Sequence, residues 1–357
     1  MTAPVDRHPA FPGDAVAAHW SAQRGLPLTP YRSWGVPLVR DGSVLRTAGG
    51  SDFPGVFPDP TSPPLDPPVP PRGVAALILH DVTDEGGVPD QAVVLDARAR
   101  TYLRYECASA EFGTDPEAYW HDTLSTKRRK RLRHDRRKLA EGGEVTVRWV
   151  DAADADAMFG RFFAMLCSRA RHHGAYDANV LDGAYLRDVW RRFAGRDLLV
   201  SALCVGDRPV SFRTGYAVGT RFVGYMPAID RAFSTASVGD LHMQLLMPEL
   251  AALGITSYHM GKGSRGNKEV WATGTYTLST VVVPLAAGLR ARGVTAIEDG
   301  RQRLRRAITA RGWEVPLRRG LHRVHTRPGA TYRRVLEGGG AGGADRLEGT
   351  GGAAGQP

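Results

Sequence analysis

Between Asp197 and Ile229 the chain reads DLLVSALCV, PVSFRTGYAV and RFVGYMPAI, with turns at Gly206-Asp207 and Gly219-Thr220. Runs rich in β-branched and aromatic residues joined by such short glycine turns predict three antiparallel strands in tight hairpins. Apolar residues at helical spacing precede them (154–171 and 182–194) and follow them (237–253). After the last of these helices come a strand ITSYHM, a glycine-rich loop GKGSRGNKE and a strand TYTLSTVVVP. Upstream, DPEAYWHDT predicts a short helix with Asp115 as N-cap and Pro116 in its first turn. Ser125 caps a longer helix over 126–141, stopped by Gly142-Gly143, and EVTVRWV returns as a strand. That longer helix has strong apolar positions only at Leu132 and Leu139, so one narrow stripe packs and the rest faces water.

The N-terminal part is less regular. Residues 1–53 hold apolar patches without clear periodicity, and 54–71 contain nine prolines in eighteen residues, an extended loop. VAALILHDV, QAVVLDA and TYLRYECA then predict a small β meander. The last twenty residues are glycine-rich, which predicts a disordered tail. The 357 residues allow two domains, and the expected boundaries are 1–114, 115–335 and a tail of 336–357. No stretch has the length of apolar sequence a membrane span needs, and the N-terminus lacks a signal-peptide pattern, so a cytoplasmic protein with no membrane partner is expected. Cys107, Cys167 and Cys204 sit in apolar stretches and predict buried free thiols. The adjacent His172 and His173 face apart on a helix, and no metal site is expected.

Charge is the second strong signal. The net charge is +10, and 127–138 holds nine Lys or Arg in twelve residues with Asp135 as the one acid. A second basic stretch spans 290–334. Such a helix is either a solvated face or a docking surface for RNA phosphates, with Lys127, Arg128, Lys130, Arg131 and Arg133 as contacts. No aromatic residue lies within it for base stacking, so it would read backbone shape and not sequence.

The order helix, helix, three antiparallel strands, helix, strand, glycine-rich loop, strand resembles the GNAT acyltransferase fold. The segment from YMPAID to GSRGNKEVW, with Ser237 and Gly239 at a helix entry, Ala251–Gly254 at its end and then Gly261, Gly263 and Lys268, is similar to the GNAT branch of the Fem-type aminoacyl-tRNA-dependent transferases. It also resembles the acetyltransferase-like domain associated with cellulose biosynthesis. The Lys/Arg-rich helix ending in Leu and Gly fits the same branch, and the likeness covers roughly 115–285. It implies an α/β protein of GNAT fold in two GNAT-like halves, the N-terminal one irregular. It further implies a cleft between splayed strands, with the N-terminus of the helix at Ser237, Val238 and Gly239 aimed at the donor. The entry departs from the glycine-rich pattern of coenzyme A-using members, and Asp240 in its first turn would repel a pyrophosphate.

Around that cleft Lys262, Arg265 and Lys268 would hold a phosphate or carboxylate, Lys268 standing where Fem-type enzymes carry a functional lysine. Asp230 and His259 are the candidates for a base or an orienting group. Arg213, Tyr216 and Tyr225 are candidates for the acceptor side. Three readings stay open. The first is an aminoacyl-tRNA-dependent transferase acting on a small amine or hydroxyl in specialised (antibiotic-type) metabolism, with tRNA as partner and no bound cofactor. The others are an acyl-coenzyme A-dependent N-acyltransferase and a catalytically idle nucleic-acid-binding module.

Overall fold

The computed structural model describes residues 11–33, 35–48, 56–57, 61–84, 98–173, 183–262 and 266–311. The N-terminal part comprises α1 (Asp14–Arg24), β1 (Leu28–Ser33), β2 (Val36–Asp41), β3 (Val44–Thr47), β4 (Ala76–Thr83) and β5 (Arg100–Glu111). Then follow α2 (Pro116–Thr123), α3 (Thr126–Ala140), β6 (Val145–Trp149), α4 (Ala155–His173), α5 (Gly183–Phe193), β7 (Leu198–Val205), β8 (Arg208–Val218) and β9 (Arg221–Ile229). A 3-10 turn (Arg231–Ala236) leads into α6 (Val238–Ala252), β10 (Ser257–His259), α7 (Asn267–Trp271), β11 (Gly274–Pro284) and α8 (Leu289–Ala310).

Local chemistry accounts for much of this. Asp115 accepts from the N–H groups of Glu117 and Ala118, and Ser125 Oγ accepts from Arg128 N–H, so both predicted caps form. Leu132 and Leu139 of α3 are buried, as expected, together with Asp135. Burying each leucine stabilises the docked helix by about 1.5–3 kcal/mol, whereas each like-charge i,i+4 pair costs only ~0.2–0.5 kcal/mol. The apolar stripe therefore wins, and the cations are turned to solvent. The three cysteines are buried and form no disulfide among the described residues.

The eleven strands form one sheet in the order β1-β2-β3-β4-β11-β5-β10-β9-β8-β7-β6. Neighbours are antiparallel except for two parallel pairs, β3 with β4 and β9 with β10. About the β11–β5 contact the same pattern runs outward in both directions, through five strands on one side and six on the other. On each side an antiparallel run ends in a parallel pair, and the next strand inward comes from the other half: β11 beside β4, and β5 beside β10. Two halves of like strand layout thus exchange their last strands. The first is the irregular one, since the described residues between β3 and β4 hold no helix where the second half has α6. The small meander expected over 74–108 does not form. β4 and β5 are separated by β11, whose valines pair with both, and QAVVLDA lies outside the described residues.

Helices cover both faces. α1, α4 and α5 bury Trp20, Phe159, Phe162 and Trp190 against one face. α2, α3, α6 and α7 bury Tyr119, Leu132, Leu246 and Trp271 against the other. No described helix is long and apolar enough to cross a membrane.

Candidate active site

β9 and β10 pair only from Arg221 with Ser257 to Val223 with His259. β10 then stops while β9 runs on to Ile229, and among the described residues nothing pairs with that side of Gly224–Ile229. Two glycines let the chain leave the sheet here. A Cβ on Gly224 would stand 2.8 Å from Tyr258 Oη, and one on Gly261, whose φ is +69°, would stand 2.9 Å from the Gly224 carbonyl oxygen. At Gly261 the neighbour is backbone and φ is positive, so only glycine fits, while at Gly224 a side chain would displace the Tyr258 ring.

On the α6 face of this gap Arg213 bridges three elements. Its Nη1 donates to Tyr258 Oη at 3.1 Å and its Nη2 donates to the Gly239 carbonyl at 2.7 Å, tying β8 to β10 and to the first turn of α6. Ser237 precedes the helix in a left-handed conformation (φ 45°, ψ 32°), and its hydroxyl makes no capping bond. Its carbonyl instead accepts from the N–H groups of Asp240 and Leu241. Helix geometry therefore leaves the Val238 and Gly239 N–H groups without an acceptor inside the helix, at its positive end. The side chain of Asp240 does not oppose this field. Arg128 Nη2 lies 2.5 Å from one oxygen and Trp271 Nε1 donates to the other at 2.9 Å, so its charge is matched. That contact also pins the basic helix α3, and with it α7, to the α6 entry. One turn on, His242 is fully buried between Ser201 Oγ (3.0 Å) and Ser211 Oγ (2.9 Å). Burial, and then the nearby Arg213 charge, hold its pKa well below the usual histidine value, so it is neutral.

The predicted residues fall into separate places. Lys268 Nζ donates to the carbonyls of Lys262 (2.8 Å) and Gly261 (3.1 Å), fastening the loop that rims the gap. Lys262 turns instead to Asp81, with Nζ 2.7 Å from its carboxylate. Arg265 lies outside the described residues. Asp230 caps the 3-10 turn through Ala232 N–H (3.0 Å) and pairs with Arg208 (2.9 Å) and Arg161 (3.4 Å). Burial raises its pKa, but the Ala232 N–H and the two guanidiniums outweigh burial, and the carboxyl sits below its usual range.

His259, Tyr216 and Tyr225 occupy the opposite face, because successive strand residues alternate sides. The His259 ring stands 5.5 Å from that of Phe57 and 4.6 Å from that of Tyr276, and burial, then Arg221, lowers its pKa to about 3. Tyr216 packs 4.4 Å from Phe11 and 5.8 Å from Tyr225, with burial holding its phenol well above the usual value. Phe11 and Phe57 bond each other's backbones, so the N-terminal half lids this face. Of the proposed basic contacts, Lys127, Lys130, Arg131 and Arg133 are exposed, while Arg128 is half-buried on Asp240.

Asp81 carries no sequence signal of a site. It is fully buried on β4 with φ 51°, and its carboxylate is held by Arg104 (2.6 Å) and Lys262 (2.7 Å), both over the Tyr105 ring.

Residues 126–269, α3 through the start of α7, match the family described as Acetyltransferase (GNAT) domain. Over these residues the chain carries a GNAT acyltransferase domain. Among solved structures it is similar to FemX, at a TM-score of 0.56 and 11% identity over 81% of this chain and 95% of that one. At that identity the likeness shows the fold. Similarity also extends to L-PGS from Bacillus licheniformis (TM-score 0.44, 14% identity, 80% of this chain and 91% of that one). A tandem GNAT protein from the clavulanic acid biosynthesis pathway matches at a TM-score of 0.38 and 9% identity, over 79% of this chain and 91% of that one. No curated protein matches the chain.

Proposed function

We propose that this GNAT domain moves an aminoacyl group from aminoacyl-tRNA to a small-molecule amine or hydroxyl, in specialised metabolism. The observation that carries the reading is the Arg128–Asp240 contact at 2.5 Å. It fixes the exposed cations of α3 to the helix end that would receive the reacting carbonyl. Phosphates lying along Lys127, Lys130, Arg131 and Arg133 would bring a tRNA acceptor end to the gap beside Gly224. The acceptor nitrogen or oxygen then attacks the ester carbonyl. The new C–N or C–O bond forms as the bond to the terminal ribose oxygen breaks, and the acceptor's proton passes to that oxygen through solvent. Val238 and Gly239 N–H groups stabilise the oxyanion, and Lys268, placed as in the Fem-type enzymes the sequence resembles, adds positive charge. Asp230, ionised and held by two arginines, would orient the acceptor by accepting a hydrogen bond from its amine or hydroxyl, while Arg213 fixes the helix end. His259 stays neutral and shapes the far wall with Tyr216 and Tyr225.

One observation favours a second reading. With the Asp240 charge matched by Arg128, the α6 entry also suits a pyrophosphate, and the family description names acetyl transfer. Binding of purified protein to bulk tRNA and to coenzyme A across a salt series separates the two. The tRNA reading expects salt-sensitive tRNA binding that is lost in K127A/K130A/R131A, no coenzyme A affinity, and transfer from charged tRNA. Micromolar coenzyme A binding without tRNA preference overturns it, and tRNA binding with no transfer from any charged tRNA reduces the domain to an idle module.

A further inference from the structure

The C-terminal helix α8 is inside out. Its sheet-facing side buries Ala291, Glu298 and Gln302, with Gln302 Nε2 donating to Glu298 Oε1 at 2.7 Å. Asp299 on the next position accepts from Tyr102 Oη of β5. Val294 packs there on Val44, Ile78, Tyr102 and Val282. The acids and the glutamine thus point inward. Outward, Leu289, Ile297 and Leu304 are exposed by 84%, 60% and 63%. With Gly293 and Gly300, which face open space, they line one stripe at intervals of four, four, three and four residues. Single exposed leucines are ordinary, but a stripe over four turns of helix calls for an apolar partner.

The flanks say which. Arg290 and Arg301 lie along one side of the stripe and Arg292 and Arg303 along the other, all exposed, with Arg301 also 3.5 Å from Glu298. A second copy of the helix would set these rows of arginines against each other. An RNA backbone would satisfy the arginines and leave the leucines in water. An apolar layer topped by anionic groups satisfies both. We propose that α8 is a surface-lying amphipathic helix that docks the chain on an anionic lipid bilayer. This inference is independent of which acyl donor the GNAT domain uses.

The test is co-sedimentation of the full-length protein with vesicles of phosphatidylcholine alone and of phosphatidylcholine mixed equally with phosphatidylglycerol. The expected result is binding to the mixed vesicles alone, reduced about tenfold or more by I297E/L304E, and weakened both by added salt and, at low salt, by R290Q/R292Q/R303Q. Unchanged vesicle binding by I297E/L304E overturns the proposal, since another surface would then hold the lipid. So does a self-associated species in light scattering, without lipid binding, that I297E/L304E dissolves. Loss of tRNA binding in that variant, without lipid binding, assigns the helix to RNA and overturns it too. A lowered melting temperature for I297E/L304E in the absence of lipid would mean that the protein's own chain covers the stripe, and the bilayer proposal falls.

Discussion

The two halves of the sheet open in the same way and then treat the opening differently. In the N-terminal half β3 pairs with β4 only as far as Ile78, and β4 continues alone. The chain itself fills that gap: Val56 N–H donates to the Asp81 carbonyl, and Thr83 N–H donates back to the Val56 carbonyl. Asp81 then supplies an internal anion for Arg104 and Lys262. In the C-terminal half the corresponding gap is unfilled among the described residues, and the acid at the α6 entry, Asp240, is already matched by Arg128 and Trp271, so the positive end of α6 keeps its field there. A shared strand layout therefore does not make two sites. In the N-terminal half the acid inside the opening is neutralised by Arg104 and by Lys262 from the other half, whereas the positive end of α6 is where the proposed reaction would place its developing negative charge.

The largest test of this contrast is Asp81→Ala. Removing the carboxylate strands two mostly buried cations, and the variant should lose about 3–5 kcal/mol in urea unfolding. Transfer per folded molecule should persist, and its loss would mean that the N-terminal opening takes part in chemistry. Arg213→Met cuts the other way. Folding should survive, while transfer falls about a hundredfold as the helix end loses its fixed partner, measured by single-turnover kinetics. An unchanged rate would remove Arg213 from the site.

A smaller effect concerns pH. His259, with a folded pKa of about 3, and His80, at about 4 through burial and then the Arg46 charge, are depressed from 6.5. The unfolded chain therefore binds more protons, and stability is fully present above 6.5 and falls as pH drops from 6.5 towards 4 and 3. Urea midpoints against pH check this, and His259→Gln should flatten the slope. The smallest change expected is from Asp240→Asn. It should keep the fold at a cost of about 1 kcal/mol and weaken tRNA binding several-fold by freeing α3. If tRNA binding is untouched, the Arg128 clip does not set the register of the basic face.

What could be read in the sequence was local. The hairpins at Gly206 and Gly219, the caps at Asp115 and Ser125 and the glycine entry to α6 each depend on neighbours within a few residues, and each forms. α1 was missed because its buried positions, Val16, Ala17 and Trp20, give too short a stripe to stand out from the irregular sequence around them. The exchange of β5 and β11 was not visible, since their partners lie across the chain and nothing in TYLRYECA or TYTLSTVVVP specifies which edge they join. The strand SFRTGY offers both Arg213 and Tyr216 to the acceptor, but they stand on opposite faces, because an odd separation along a strand reverses direction. Asp81 had no legible signature: one acid in ILHDV acquires meaning only when Arg104 and Lys262 arrive from two other segments.

The exchanged strands carry a consequence for how such a protein can change over time. A scaffold half that merely sat beside a catalytic half could be trimmed away or replaced. Here β5 completes the edge of β10, and β11 closes the edge of β4. Cutting the chain in the turn at Phe112–Thr114 would leave each fragment with the other's strand missing from its middle. The N-terminal half, whose described opening is filled by its own chain, thus supplies the C-terminal half with a strand and takes one from it, so a change at either exchanged strand is felt by both.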